Sequence, residues 1–433
     1  MKKLQPVRGT KDILEEEYRQ IYDIACHWHL ATEGFGFKMI QTPIIEDSEV
    51  FKKTLGLTSD IIKKETYTFK DRSNNEITLR PEGTAPVVRF FINNKLHHAL
   101  PQKLSYHGEM FRYDRPQKGR LREFYQLGAE IIGEKDISAD LELIQLAMDF
   151  INGIGISDTK YKIHVNSLGD KESRKRYSIE LKNFFQDHKK DLTSESLERL
   201  KKNPLRILDT KNKKEKKLLV KAPKLKNFLS SESSDIFEEF KENCKELIIP
   251  IVVDDNLVRG LDYYNNICYE FVSNDIGSQD SLLAGGRYDG LIKKMGGPDY
   301  PGCGFAAGVE RIRLLGPKNV DLKSERESYF VLIAVGKKNR IKAMEKMEKF
   351  RSLTTWPIDF ICRDNLSKGL RYASEKKAKY ALILGDDEIL NNEIAIKELK
   401  TRKQKKINIS NLSDYLFDPK KIKFKNEFRR KLK

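Results

Sequence analysis

Apolar residues recur at helical spacing from Asp12 to about Glu33, at Ile13, Leu14, Tyr18, Ile21, Tyr22, Ile24, Ala25 and Trp28, and the Gly-Phe-Gly at 34–36 ends the run. Short strand-like pieces follow at 37–46, 65–71 and 76–80. The stretch GTAPVVRFFINNKL then reads as a helix, with Pro86 early enough for a first turn. Between Leu104 and Gly133 the period changes to two. Tyr125, Leu127, Ala129 and Ile131 alternate with Phe124, Gln126, Gly128 and Glu130, so one strand face meets a core and the other carries a ring, an amide, a bare glycine and a carboxylate. A bare glycine there leaves room for a ligand to approach the sheet.

From about Asp170 to Lys245 the chain becomes helical, highly charged and poor in strands; strand signals return at LIIPIVVDD, so this segment reads as an insertion into a domain that resumes. After about Lys323, strand and helix patterns alternate through YFVLIAVG, WPIDFIC, NLSKGLRYASEKKA and KYALILG, the mark of a small α/β domain with a partly parallel sheet. The fold class is α+β. The expected division is 1–169 and 248–322 for one domain in two parts, 170–247 for the insertion, 323–420 for the α/β domain and 421–433 for a basic tail.

Charge and cysteine content narrow the classes. The 433 residues carry a formal charge of +17, and Thr401 to Lys433 alone holds twelve basic and three acidic residues, which favours a polyanionic partner. Five scattered cysteines with no C-x-x-C pair argue against zinc and disulfides. No apolar run approaches membrane-spanning length and no signal-like core opens the chain, so a cytoplasmic, unexported protein is expected, with no membrane partner.

Two stretches carry candidate chemistry. LVRGLDYYNNICYEF sets Arg259 and two tyrosines in apolar surroundings, where a guanidinium needs an anion: either a ligand, or an internal acid such as Asp262. PGCGFAAGVERIRLL does not fit the dinucleotide fingerprint; it reads as a small-residue strand leading into a helix near Val309, with Arg311 in its first turn. Alone, Glu310 and Arg311 would be a surface pair.

These pieces resemble the class II aminoacyl-tRNA synthetases, and within them the histidyl-tRNA synthetases. GFGFKMIQTPIIE, GEMFRYDRPQKGRLREFYQLGAE and GCGFAAGVERI look like the three class motifs; RGLDYYN at 259–265 and AGGRYDGL at 284–291 look like the two histidine-specific segments. The resemblance covers essentially the whole chain, NPLRILD in the insertion included. It implies an antiparallel-sheet catalytic domain with a helical insertion, a C-terminal anticodon-binding domain, a homodimer joined through the first motif, and ATP-dependent ligation of L-histidine to tRNA(His) through histidyl-adenylate.

Roles follow from the same resemblance. Arg112 and Arg259 would be the catalytic residues, holding the α-phosphate and the histidine carboxylate; Arg120 and Arg311 would take the distal phosphates, and Phe124 would stack on adenine. Glu82, Gly83, Thr84 and Gln126 would receive the substrate's ammonium end, Glu130 and Tyr264 its imidazole, and Tyr263 and Tyr288 would line the pocket. Arg115, Gln117 and Lys118 would meet tRNA. Mg²⁺ would enter with ATP, with no metal site made by protein alone. A histidine-sensing, non-catalytic relative is the main rival reading. Such relatives usually lack the C-terminal domain and drift at the ATP-contacting arginines, all four of which are present here. A pure RNA-binding protein would leave the pocket residues unexplained.

Overall fold

The computed structural model describes residues 4–55, 61–117, 119–210, 212–276, 281–316, 330–353 and 357–412. Lys118, the segment holding the expected boundary at 322, and the basic tail 421–433 lie outside the described residues. The chain forms two compact units, Met1–Val320 and Asp321–Lys433.

The first unit is organised by an eight-stranded sheet in the order Lys38–Met39, Gln102–Phe111, Glu123–Ile132, Gly302–Gly308, Ser281–Arg287, Asn265–Val272, Lys162–Ser167, Ile251–Val253. Its two outermost pairs are parallel and the five inner pairings antiparallel. On one face the helices Glu15–Gly34 and Ser138–Gly153 bury Trp28, Phe150, Leu127, Ala129, Ile131 and Phe305 together. Trp28 anchors this layer, edge-on to Phe150 at 5.1 Å and donating from Nε1 to the Tyr106 carbonyl at 3.1 Å. The helical period of the N-terminal run is thus real, but Leu14, Tyr18 and Tyr22 stay exposed while Ile21, Ile24 and Trp28 are buried.

On the other face lie the helices Thr84–Asn93, Lys171–Asp187, Ser194–Lys202 and Lys213–Leu219, with short 3-10 turns in the helical segment, while its last helix, Ser231–Glu246, packs on the first face; among the described residues no strand interrupts 171–246. Side-chain caps from Asp170, Thr193, Asn212 and Ser230 start the segment's four helices, each satisfying an amide that the helix itself leaves open. The helical segment has no core of its own. Its Tyr177, Leu181, Phe185, Leu200 and Ile207 join one buried cluster with Tyr263, Tyr264 and Tyr288, while Phe237, Phe240 and Cys244 join the cluster on the opposite face.

The second unit is a five-stranded sheet in the order Ile358–Arg363, Phe330–Val335, Tyr380–Leu384, Glu393–Glu398, Gln404–Asn408. The first three strands are parallel, with the helices Arg340–Leu353 and Leu366–Glu375 as crossovers, and the last two form an antiparallel extension. Central strand residues such as Leu332 and Leu382 are buried against one helix layer, and Val331 and Ala381 against the other, as parallel strands covered on both sides require.

Candidate active site

A cavity of about 1030 Å³ opens between the sheet and the helical segment, lined by Glu82, Thr84, Arg112, Arg120, Phe124, Gln126, Arg259, Tyr263, Tyr264 and Arg311, among others. Residues far apart in sequence converge because neighbouring strands and their connections each contribute. The hairpin Gln102–Phe111/Glu123–Ile132 brings Arg112, Arg120, Phe124 and Gln126; the loop before Asn265–Val272 brings Arg259, Tyr263 and Tyr264; the strand-to-helix turn at Gly308–Val309 brings Arg311.

The strand face predicted to be polar is a buried floor. Glu130 is fully enclosed and takes hydrogen bonds from the Thr84 hydroxyl at 2.7 Å and the Tyr288 hydroxyl at 2.8 Å. Burial pushes its carboxyl up to about 8, only partly offset by those two donors. Thr84 lines the cavity, and Glu130 and Tyr288 are buried and joined to it through hydrogen bonds. Gly304 makes this arrangement possible: a Cβ there would lie 1.7 Å from Glu130 Oε2.

The space over Gly128 is not left for a ligand, contrary to expectation. Tyr106 is the cross-strand partner of Gly128, and its ring fills that space; a Cβ on Gly128 or on Gly83 would sit 2.2 Å from ring atoms. Gly83 is thus read as a packing position under Tyr106. Glu82 is likewise partly committed, because its carboxylate accepts from the Thr84 and Ala85 amides, both at 2.8 Å, and so caps the helix Thr84–Asn93. Burial raises its pKa, and lone pairs remain for a further donor such as the Tyr263 hydroxyl at 3.5 Å. Gln126 Oε1 is buried and has no hydrogen-bond partner among the described residues.

The arginines are held differently. Arg112 donates from Nε to the Pro81 carbonyl at 2.7 Å and lies over the Phe124 ring at 5.2 Å; among the described residues no carboxylate stands within ion-pair distance of it, and burial lowers its pKa. For Arg259 the nearest carboxylate is Glu270 at 3.9 Å, its Nε is buried without a partner, and it faces the Tyr264 ring at 5.4 Å. Burial opposes its charge, but Glu270 and the neighbouring tyrosines outweigh that and hold its pKa above the ordinary value. Asp262 is not its partner; it pairs with Arg206 at 2.9 Å. Arg120, expected to reach for phosphate, is tied to Asp114 in its own loop, with Glu65 at 3.9 Å.

Arg311 donates to the Ser281 carbonyl at 2.8 Å, and Glu310 accepts from the Tyr125 amide at 3.0 Å, so the two are not a surface pair. Arg115 and Gln117 are exposed on the hairpin loop, outside the cavity. Sequence reasoning missed Tyr106, Arg174 and Arg206, the last of which lies in the quoted NPLRILD. It assigned no role to Arg287 of AGGRYDGL, which is buried against Asp140 at 2.6 Å and ties its strand to the helix Ser138–Gly153. Among the described residues no group of three or more His, Cys, Asp or Glu is placed to hold a metal ion, and no helix is long and apolar enough to cross a membrane.

Convergence of four arginines on one cavity above a buried carboxylate–hydroxyl cluster is what the class II resemblance requires. A family model described as Histidyl-tRNA synthetase matches residues 9–312, and one described as Anticodon binding domain matches 330–418. The chain belongs to the histidyl-tRNA synthetase family. A Histidine--tRNA ligase of Gluconobacter oxydans is 39% identical over 416 residues, covering 96% of this chain and 99% of that protein, and one of Wolbachia pipientis wMel is 42% identical over 95% and 99%. The apo histidyl-tRNA synthetase structure of S. aureus superposes with a TM-score of 0.78 at 31% identity, over 95% of this chain and 99% of that one. A Bacillus halodurans chain titled ATP phosphoribosyltransferase regulatory subunit/histidyl-tRNA synthetase shares the fold at a TM-score of 0.65 and 22% identity, over 89% of this chain and 99% of its own.

Proposed function

We propose that this member of the family is a histidine–tRNA ligase that activates L-histidine with ATP and transfers it to tRNA(His). The observation that carries this reading is that one cavity is lined by Arg112, Arg120, Arg259 and Arg311 together with Glu82 and Thr84, the last bonded to the buried Glu130, which also accepts from Tyr288. The histidine carboxylate attacks the α-phosphorus of ATP and pyrophosphate leaves; the terminal ribose hydroxyl of the tRNA then attacks the acyl carbon of the histidyl-adenylate, giving up its proton, and AMP leaves. A carboxylate is ionised at pH 7 and needs no base for the first step. The task is alignment and charge neutralisation as negative charge spreads over the phosphate, and two guanidinium forks that line the same cavity, Arg112 and Arg259, suit it.

Arg311 reaches the distal phosphates from its helix turn. Arg120 joins it after releasing Asp114, and Phe124 offers the adenine a ring. The substrate ammonium meets Glu82, Thr84 and the unpartnered Gln126 Oε1. Tyr264 and Glu130, the latter bonded to the lining Thr84, choose the imidazole, with Tyr263 as a wall and Tyr288 supporting Glu130. Glu270 and Glu310, two of the carboxylates that line the cavity, would hold a Mg²⁺ brought by ATP, which would supply positive charge to offset that of the leaving pyrophosphate.

Arg115, Gln117 and Lys118 of the hairpin loop meet the acceptor end of the tRNA, and the second unit meets its anticodon. The exposed Leu14, Tyr18 and Tyr22 favour a homodimer through the N-terminal region, and a cytoplasmic location follows from the reaction. Histidine-dependent ATP–pyrophosphate exchange tests the proposal. Exchange with histidine and none with the other amino acids supports it; no histidine-dependent exchange by folded protein would overturn it and favour a histidine-sensing role.

A further inference from the structure

The loop of residues 254–264 connects the strands Ile251–Val253 and Asn265–Val272 and carries Arg259, Tyr263 and Tyr264, yet it has no regular structure of its own. Its shape has to be imposed from outside. Arg259 cannot impose it, since its nearest carboxylate is 3.9 Å away and its Nε is unpartnered. Strand Lys162–Ser167 holds the first part of the loop, with Asn166 donating to the Leu257 carbonyl at 3.0 Å, and the helical segment 171–246 adds contacts at successive points up to Tyr264. Lys226 pairs with Asp255 at 3.0 Å, and Lys224 donates to Asn256 Oδ1 at 2.9 Å. Arg206 donates from Nη2 to both the Gly260 carbonyl at 3.3 Å and Asp262 Oδ1 at 2.9 Å, where Asn203 also donates at 3.2 Å. Arg174 donates to the Tyr264 carbonyl at 2.7 Å.

These contacts differ in strength. The lysine contacts are largely exposed and screened, whereas Arg206 and Arg174 are mostly buried and grip the backbone carbonyls of Gly260, next to Arg259, and of Tyr264. Asn203 and Arg206 are themselves fixed: Asn203 caps the 3-10 turn Pro204–Asp209, and Ile207 of that turn is buried in the cluster that holds Tyr263 and Tyr264. Both Arg206 bonds leave one nitrogen of a planar guanidinium, whose two N–H directions are fixed, whereas a lysine ammonium is carried on a flexible stem with no fixed donor directions.

We propose that the helical insertion acts as a clamp on the histidine loop, and that Arg206, through Asp262 and the Gly260 carbonyl, is a positioning residue for amino-acid activation, with Arg174 holding the loop's other end. Arg206 acts on Arg259 and Tyr264 without touching substrate. The inference rests on the histidine-activating reading above.

The test is ATP–pyrophosphate exchange by the full chain, which needs no tRNA, with thermal melting in parallel. Wild-type exchange with histidine comes first, because its absence sinks the functional reading and leaves the clamp out of account. Given an active wild type, Arg206→Ala and the isosteric Asp262→Asn should each lower kcat/KM for histidine by about tenfold or more while the KM for ATP stays within about threefold. Arg206→Lys should recover only part of the loss, and the reversed pair Arg206→Asp with Asp262→Arg should exceed either reversed single variant. Exchange parameters within twofold of wild type in folded Arg206→Ala and Asp262→Asn would overturn the proposal, as would equal losses toward histidine and ATP accompanied by a lower Tm.

Discussion

At one end of the cavity, Thr84, Glu130 and Tyr288 hold one another through hydrogen bonds of 2.7 and 2.8 Å, on a helix and two ends of strand structure that are buried on every side. At the other, Arg112 and Arg259 are held by a carbonyl, by aromatic faces and by a carboxylate at 3.9 Å, and both sit on loops. The first end is finished before a ligand arrives; the second keeps cationic groups whose best partner is not protein. Preorganised hydrogen bonds suit selection of a small ring, because a site built to pair a donor and an acceptor rejects side chains lacking them. Loosely engaged guanidinium groups suit charge that develops during reaction, because their full interaction is reserved for the transition state.

The contrast is tested most severely at Arg259. Lysine keeps the charge but loses the fork, so Arg259→Lys should lower the maximal rate of pyrophosphate exchange by about 10²–10³ and shift the KM for histidine far less. A rate within tenfold of wild type would mean that the arginine side does no more than bind. Next comes the buried end, where Glu130→Ala should raise the KM for histidine about a hundredfold with the KM for ATP within about threefold. Gly304→Ala should act in the same direction, since its methyl group would collide with Glu130 Oε2. Parallel losses for both ligands would point to a folding defect and dissolve the division into two ends.

How much of this could be read from the chain differs in the same way. The alternation from Phe124 to Ile131 placed Gln126 and Glu130 on a shared face, and the structure keeps them there, but periodicity carries no information on what covers that face. Tyr106 fills the gap over Gly128 because antiparallel register sets the two residues opposite each other, a pairing 22 positions apart that no local pattern shows. The guanidinium groups stood out because charge in an apolar setting is costly wherever it occurs. Their partners did not. Asp262, three residues from Arg259, was a natural candidate for it, and Arg206, 56 positions from Asp262, takes that carboxylate instead. The antiparallel strands Glu393–Glu398 and Gln404–Asn408 lie in a stretch whose charged composition hides the alternation, so the alternating strand and helix signals before them were legible and they were not.

Arg120 marks an intermediate case within the arginine side. It is already paired with Asp114, so any contact with phosphate has to replace an ion pair rather than fill a vacancy. Arg120→Ala should therefore raise the KM for ATP by no more than about tenfold, well short of the effect at Arg259, and Asp114→Asn with Arg120 in place should lower that KM by releasing the arginine. A loss at Arg120 equal to that at Arg259 would show that the internal pair carries no competition.

The finest distinction between the two ends concerns a proton. Glu130 titrates at about 8 in the folded chain against an ordinary 4.5, so between those values the folded state holds a proton that the unfolded state has lost. Stability tied to that proton is full below about pH 4.5, declines as pH rises through the window, and is gone above about pH 8. Glu130→Gln is neutral throughout and pays no such loss, while Glu82 titrates in both proteins and largely drops out of the difference. The Tm of the Gln variant minus that of wild type should therefore climb by several degrees from pH 5 to pH 8 and level off beyond it, whatever constant offset the amide introduces. A difference that stays flat across that range would mean Glu130 is ionised in the folded chain at neutral pH, accepting from Thr84 and Tyr288 as a carboxylate. The buried end would then carry a permanent negative charge facing the arginines, and the two ends would be coupled by attraction instead of being built independently.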